Sequence, residues 1–182
     1  PAGVKKVTVV GGGVVGCEIA YTLASEHGVD VTIVEMKPVL MKGVVHANRA
    51  MLLWLLMGKG SPAKGVPVLS NPVRAFTATR PARCEKGLLV VDANRKRKDP
   101  YIPWQTLTPD NIHVPFAPRL KEKDVEEIRI ETDYIVFATG GKPDNSLYKT
   151  LLDVSAAPRI FCIGDANRPA RAWEAIRDGY EI

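Results

Sequence analysis

The sequence predicts an α/β fold: a parallel sheet with helices on both faces and an antiparallel β-meander inserted as a crossover. Three observations predict it. The apolar run Val7-Thr8-Val9-Val10 leads into Gly11-Gly12-Gly13-Val14-Val15-Gly16, and a second run, Val31-Thr32-Ile33-Val34, closes on Glu35. Three later stretches, 74–80, 87–92 and 127–132, alternate apolar and polar side chains as half-buried antiparallel strands do. Two further apolar runs, 134–138 and 159–163, have the continuous hydrophobicity of buried parallel strands.

The elements follow in order. The first strand ends at the glycines. The first helix runs over 14–27, with Ile19, Ala20, Leu23 and Ala24 on one face and Gly28 as its stop signal. His27 sits at its C-terminal end, where an imidazole can meet the last carbonyls. After the second strand the chain turns through Lys37-Pro38, and a second helix is expected over 45–57, ended by Gly58-Lys59-Gly60. Val66-Pro67-Val68-Leu69 reads as a short third strand. The alternating stretches then form the meander, and a last helix is expected over 170–178. Residues 95–125 hold five prolines together with Tyr101, Trp104 and Phe116. That is long for a loop in a compact domain, and its aromatic residues favour one that packs onto a surface.

Composition sets the frame. The chain has 182 residues, enough for one domain or a domain plus part of another. Its 46% hydrophobic content supports a packed core, while its longest apolar run, 51–57, is too short to span a bilayer. The ends, Pro1 and Ile182, look cut out of a longer protein. Cys17, Cys84 and Cys162 are isolated from one another, so no metal-ligand spacing is present and a reducing, cytoplasmic setting is expected. Cys17 and Cys162 read as core residues. The net charge of +5 comes from short runs such as Arg95-Lys96-Arg97-Lys98, which read as solvated loops and not as a nucleic-acid patch.

The glycines carry the chemistry. A strand, a GxGxxG turn, a helix, a second strand and an acid roughly 20 residues after the last glycine form a dinucleotide-binding unit. Gly11 allows a tight turn, Gly13 lets the backbone approach a pyrophosphate, and Gly16 lets the helix pack closely on the strand. The helix N-terminus offers N–H groups and partial positive charge to phosphates. Glu35 can accept hydrogen bonds from ribose hydroxyls, with Met36 and Lys37 beside it. Gly140-Gly141, after Ala138-Thr139, end a strand where a nucleotide would lie over the sheet; ordinary strand-ending turns would read the same way. Asp165 after Gly164 also suits a plain helix N-cap. Glu18 also reads as a favourable acid in the first helical turn.

Taken in order, the glycine turn with Glu18, Glu35, Ala138-Thr139-Gly140 and Gly164-Asp165 resemble the flavoproteins with two dinucleotide-binding domains, the pyridine nucleotide–disulfide reductase-like superfamily. Within it the chain is similar to the old-yellow-enzyme-like group of 2,4-dienoyl-CoA reductases, enoate reductases and trimethylamine dehydrogenase. Ala138-Thr139-Gly140-Gly141-Lys142-Pro143-Asp144-Asn145-Ser146-Leu147-Tyr148 looks like that group's segment at the end of the NAD(P)H domain. Gly164-Asp165-Ala166, Arg168-Pro169 and Glu174-Ala175-Ile176 look like the segment that re-enters its FAD domain.

The resemblance implies a Rossmann-like NAD(P)H-binding domain over 1–153 and a return segment of an FAD domain over 154–182. Val14-Val15 resembles the nicotinamide-nucleotide loop, not the FAD loop, and no second GxGxxG occurs. It implies NAD(H) as ligand in preference to NADP(H), and FAD in the parent, with Asp165 toward the flavin ribitol. It further implies partners in a missing FAD-domain half and an upstream catalytic domain that reduces an enoate or enoyl thioester. A nucleotide-sensing or protein-binding module without turnover is the alternative.

Overall fold

The computed structural model describes residues 3–42, 44, 46–58, 60, 65–94 and 125–182. The chain divides into two compact units, one ending at Thr139 and the other beginning at Gly140.

In the first unit, β1 (Lys6–Val10), β2 (Asp30–Glu35), β3 (Arg74–Thr77) and β7 (Tyr134–Phe137) form a parallel sheet in the order β3-β2-β1-β7. A second, antiparallel sheet has the order β4-β5-β6, from β4 (Arg80–Glu85), β5 (Leu88–Asn94) and β6 (Val125–Glu131). Side-chain alternation on β1 and β2 builds two cores. Val7, Val9, Val31 and Ile33 pack with Cys17 and Ala20 of α1 (Val14–Glu26) and Leu53 and Leu56 of α2 (His46–Leu56). Val10 and Val34 point the other way and pack with Leu89, Val91 and Ile130 of the antiparallel sheet. Because successive strand residues face opposite sides, β1 and β2 are buried on both faces and need continuous apolar sequence. The α/β class with a parallel sheet and a meander is therefore as expected. Among the described residues, the second face of the parallel sheet carries the meander, and the helices α1 and α2 pack on the first.

Several local expectations are corrected. Residues 66–69 are not the third parallel strand; Val68 is exposed, and the strand beside β2 is β3. The stretch 74–80 is not one antiparallel strand, because Ala78 takes a left-handed φ of 52° and divides β3 from β4. β7 is not fully buried: it pairs with β1 alone, and Tyr134 and Phe137 are exposed. The Pro-rich residues 95–124 lie outside the described residues.

The second unit contains α3 (Ser146–Asp153), a short 3-10 turn (Gly164–Ala166) and α4 (Ala172–Tyr180). No residue of α3, the turn or α4 is buried. Residues 159–163 form no strand, and Phe161 and Ile163 are exposed, so the expected buried parallel strand is absent among the described residues. Cys162 is half-buried and not a core residue. No described helix is long and apolar enough to cross a membrane.

Candidate dinucleotide site

The candidate site lies at the C-terminal ends of β1, β2 and β7. β1 is the strand from which the sheet departs in both directions, toward β2 and toward β7. Crevices outside such a switch point are where open α/β sheets bind ligands.

Each glycine of the turn has its own constraint. Gly11 has φ of 110°, and a Cβ there would lie 2.3 Å from the Ala138 carbonyl oxygen. A Cβ on Gly16 would lie 1.9 Å from the Gly11 carbonyl oxygen, so α1 could not close onto the turn. Gly12 is pressed by Leu40, whose Cδ2 would be 2.4 Å from an added Cβ. Gly13 differs: its φ is −71° and ψ −174°, and a Cβ would meet nothing within 4 Å. Among the described residues nothing demands glycine there.

Gly13 is the N-cap of α1 and supplies no side-chain cap. The first turn contains no acid. Glu18, expected in that turn, is the fifth helical residue and is exposed, so it does not neutralise the helix end. Val14 and Val15 are exposed. Among the described residues no side chain caps this helix end, the place where an anion site would lie, and the Glu35 carboxylate bonds the Gly12 amide just before it.

Glu35 is almost fully buried. Its Oε2 accepts the Gly12 N–H at 2.6 Å and its Oε1 accepts the Lys37 N–H at 2.7 Å. The carboxylate thus ties the glycine turn to the loop after β2. Met36 and Lys37 follow it and are exposed. Ala138 is half-buried beneath Gly11, and Thr139 is exposed. These residues, from the turn, Glu35 and the end of β7, are brought together in one unit. Gly140, Gly141, Gly164 and Asp165 belong to the second unit. Gly140 and Gly164 have φ of 84° and 60°, and Asp165 Oδ1 accepts the Ala170 N–H at 3.3 Å.

Two residues of the site were not legible as such in the sequence. Cys17 packs under the turn with its Sγ donating to the Gly12 carbonyl at 3.6 Å, and burial first, then the Glu35 carboxylate, push its thiol up to about 12. It is no nucleophile. Arg49 of α2 is 2% exposed and donates from Nε to the Leu40 carbonyl at 2.9 Å. Its position in the pattern Asn48-Arg49-Ala50-Met51 gives no signal of burial.

Comparison with known proteins agrees with this geometry. Residues 1–60 match the pyridine nucleotide-disulphide oxidoreductase family. The chain is 47% identical to a cinnamate reductase from Clostridium sporogenes, over 98% of this chain and 20% of that protein. These matches fit the flavoprotein family of 2,4-dienoyl-CoA reductases and old-yellow-enzyme-like reductases with a pyridine nucleotide-disulphide oxidoreductase domain. The fold resembles that of a 2-naphthoyl-CoA reductase, with a TM-score of 0.63 and 21% identity over 97% of this chain and 20% of that one. It also resembles histamine dehydrogenase from Rhizobium sp. 4-9, with a TM-score of 0.60 and 14% identity over 97% of this chain and 22% of that one. The chain spans about one fifth of the length of the relatives it matches.

Proposed function

We propose that the chain is the NADH-binding module of a larger FAD-dependent oxidoreductase, positioning NADH for hydride transfer to FAD and onward reduction of an enoate or enoyl-CoA-type substrate. The observation that carries this reading is Gly13. It is a glycine that neither backbone conformation nor internal packing requires, and it opens a helix with no acid in its first turn. An approaching pyrophosphate supplies the missing reason, since backbone N–H groups at a helix start bind phosphate closely only when no side chain intervenes.

The residues fit a dinucleotide. The turn from Gly11 to Gly16 would hold the pyrophosphate. Each Glu35 oxygen accepts one backbone N–H and keeps a further lone pair for a ribose hydroxyl. Met36 and Lys37 would flank that ribose, and Ala138 and Thr139 would border the path of the nucleotide over the strand ends. Glu18 stands beside the turn without a proton-transfer role. When bound, a dihydronicotinamide supplies hydride; the protein supplies position and polar contacts.

The flavin fits less well within this chain. Gly164 and Asp165 offer contacts toward one end of it, and the sequence holds no second glycine turn for the ADP end. We place the nucleotide domain over 1–153 and the flavin-domain return segment over 154–182, with the rest of the flavin domain and a catalytic domain as partners. The enoate assignment leans on the relative's being a cinnamate reductase. Calorimetric titration with NADH is the test. A single saturable site supports the reading, and absence of heat at millimolar NADH refutes it.

A further inference from the structure

Arg49 is a buried cation that the nucleotide reading does not use. Its bond to Leu40 is the first link in a series. The Leu40 carbonyl that accepts from Arg49 Nε belongs to the same peptide group as the Met41 N–H. That N–H donates to the Gly12 carbonyl at 2.7 Å. The Gly12 carbonyl in turn shares its peptide group with the Gly13 N–H, the amide at the open mouth of the turn. A guanidinium bond to one end of a peptide strengthens donation at the other, and such chains of hydrogen bonds polarise one another.

The link is also one of shape. Met41 is held at φ of 50°, a left-handed conformation that a long side chain rarely adopts and that persists only where its surroundings fix it. Leu40 and Met41 are 1% and 2% exposed, and Leu40 presses directly on Gly12. Arg49 therefore anchors a strained, buried peptide against the back of the glycine turn.

We propose that Arg49 is a positioning residue for the dinucleotide: through the Leu40–Met41 peptide it fixes and polarises the Gly12–Gly13 peptide, so that the Gly13 N–H meets an incoming pyrophosphate. The inference rests on the nucleotide reading of the turn.

Arg49→Met tests it, with Arg49→Gln as a second variant should the first not fold. The control is Leu53→Ala, which opens a cavity on the same helix and removes none of the relay's hydrogen bonds. Two quantities are read: the NADH dissociation constant and the Gly13 amide proton shift in the labelled protein without ligand. The Arg49 variants raise the dissociation constant about tenfold, as expected when a buried carbonyl loses a charged donor. They also move the Gly13 amide upfield. Leu53→Ala lowers the melting temperature and leaves both quantities near the parent's. An Arg49 variant that binds NADH within about threefold of the parent overturns the proposal. So does a Leu53→Ala variant with an equal loss of affinity. A parent that does not bind NADH would fail the nucleotide reading itself and take this proposal with it, an outcome distinct from a parent that binds and a variant that binds equally.

Discussion

Replacing Gly13 by Val separates ligand binding from folding at a single position. The backbone there is extended, with φ of −71°, so an L-residue is conformationally acceptable. The added Cβ has no neighbour within 4 Å. Two small opposing effects bear on stability. Glycine is a better N-cap than an aliphatic residue, a loss of roughly 0.5–1 kcal/mol. Removing a glycine reduces the entropy of the unfolded chain, a gain of about 0.4–1 kcal/mol. They nearly cancel, leaving a net change within ~0.5 kcal/mol, or about 1–2 °C in Tm for a chain of this size. Binding should respond quite differently. The isopropyl group would stand at the helix N-terminus where the pyrophosphate approaches, and losing even two amide–phosphate bonds costs ~3 kcal/mol, more than a hundredfold in Kd. The assay is calorimetric NADH titration beside a thermal melt of the same preparation. Gly16→Ala is the contrast, since its Cβ would sit 1.9 Å from the Gly11 carbonyl oxygen and should disrupt folding itself. A Gly13→Val protein that binds NADH as the parent does would refute the reasoning, because the nucleotide would then not lie on this turn.

Further outcomes follow from the same geometry. NADH should bind more tightly than NADPH, because a 2′-phosphate would face the Glu35 carboxylate, and repulsion at that range is costly; titrating both nucleotides measures this, and equal affinity would mean that Lys37 sets the preference. The Cys17 thiol, raised from 9.0 to about 12 by burial, keeps its proton in the folded state after the unfolded chain has lost it. Stability attributable to it is therefore full below pH 9 and falls as pH rises toward 12; urea melts across that range should show the decline, and Cys17→Ala should flatten it. At neutral pH a thiol reagent should label exposed Cys84 well before Cys17. Amide exchange should be faster across 140–182 than across the parallel sheet, since α3 and α4 bury no residue; equal protection in both units would contradict that.

What was legible in the sequence was local or doubly buried. The glycine turn, α1 and its stop at Gly28, whose φ is 63°, follow from residues adjacent in the chain. The β1 and β2 runs are apolar throughout because both faces are covered. The third parallel strand was misplaced for a physical reason. β3 is an edge strand in which Ala75 and Thr77 are buried while Arg74 and Phe76 are half-exposed, so it alternates like an antiparallel strand. Residues 66–69 carry more apolar side chains, but Pro67 cannot donate to a ladder. The break at Ala78 was invisible because alanine seldom adopts a left-handed φ; backbone bonds from Ala78 to the Lys37 carbonyl and from Thr79 to the Glu35 carbonyl hold it there. Residues 159–163 read as a buried strand from apolarity alone, yet a strand needs a partner to pair with, and this unit contains no strand among the described residues. Within the site, Glu35 was legible from its spacing. Its hold on the Gly12 and Lys37 amides was not, nor was the burial of Arg49, because both depend on how the loop after β2 folds back over the turn.

The most direct measurement is a two-dimensional amide spectrum of the labelled protein recorded as NADH is added. Binding at the turn predicts that the largest shifts fall on Gly12, Gly13, Val14, Val15 and Gly16, with Lys37 moving as Glu35 takes up the ribose. Large shifts confined to other residues, with the amides of 11–16 unmoved, would contradict a dinucleotide site at the start of α1.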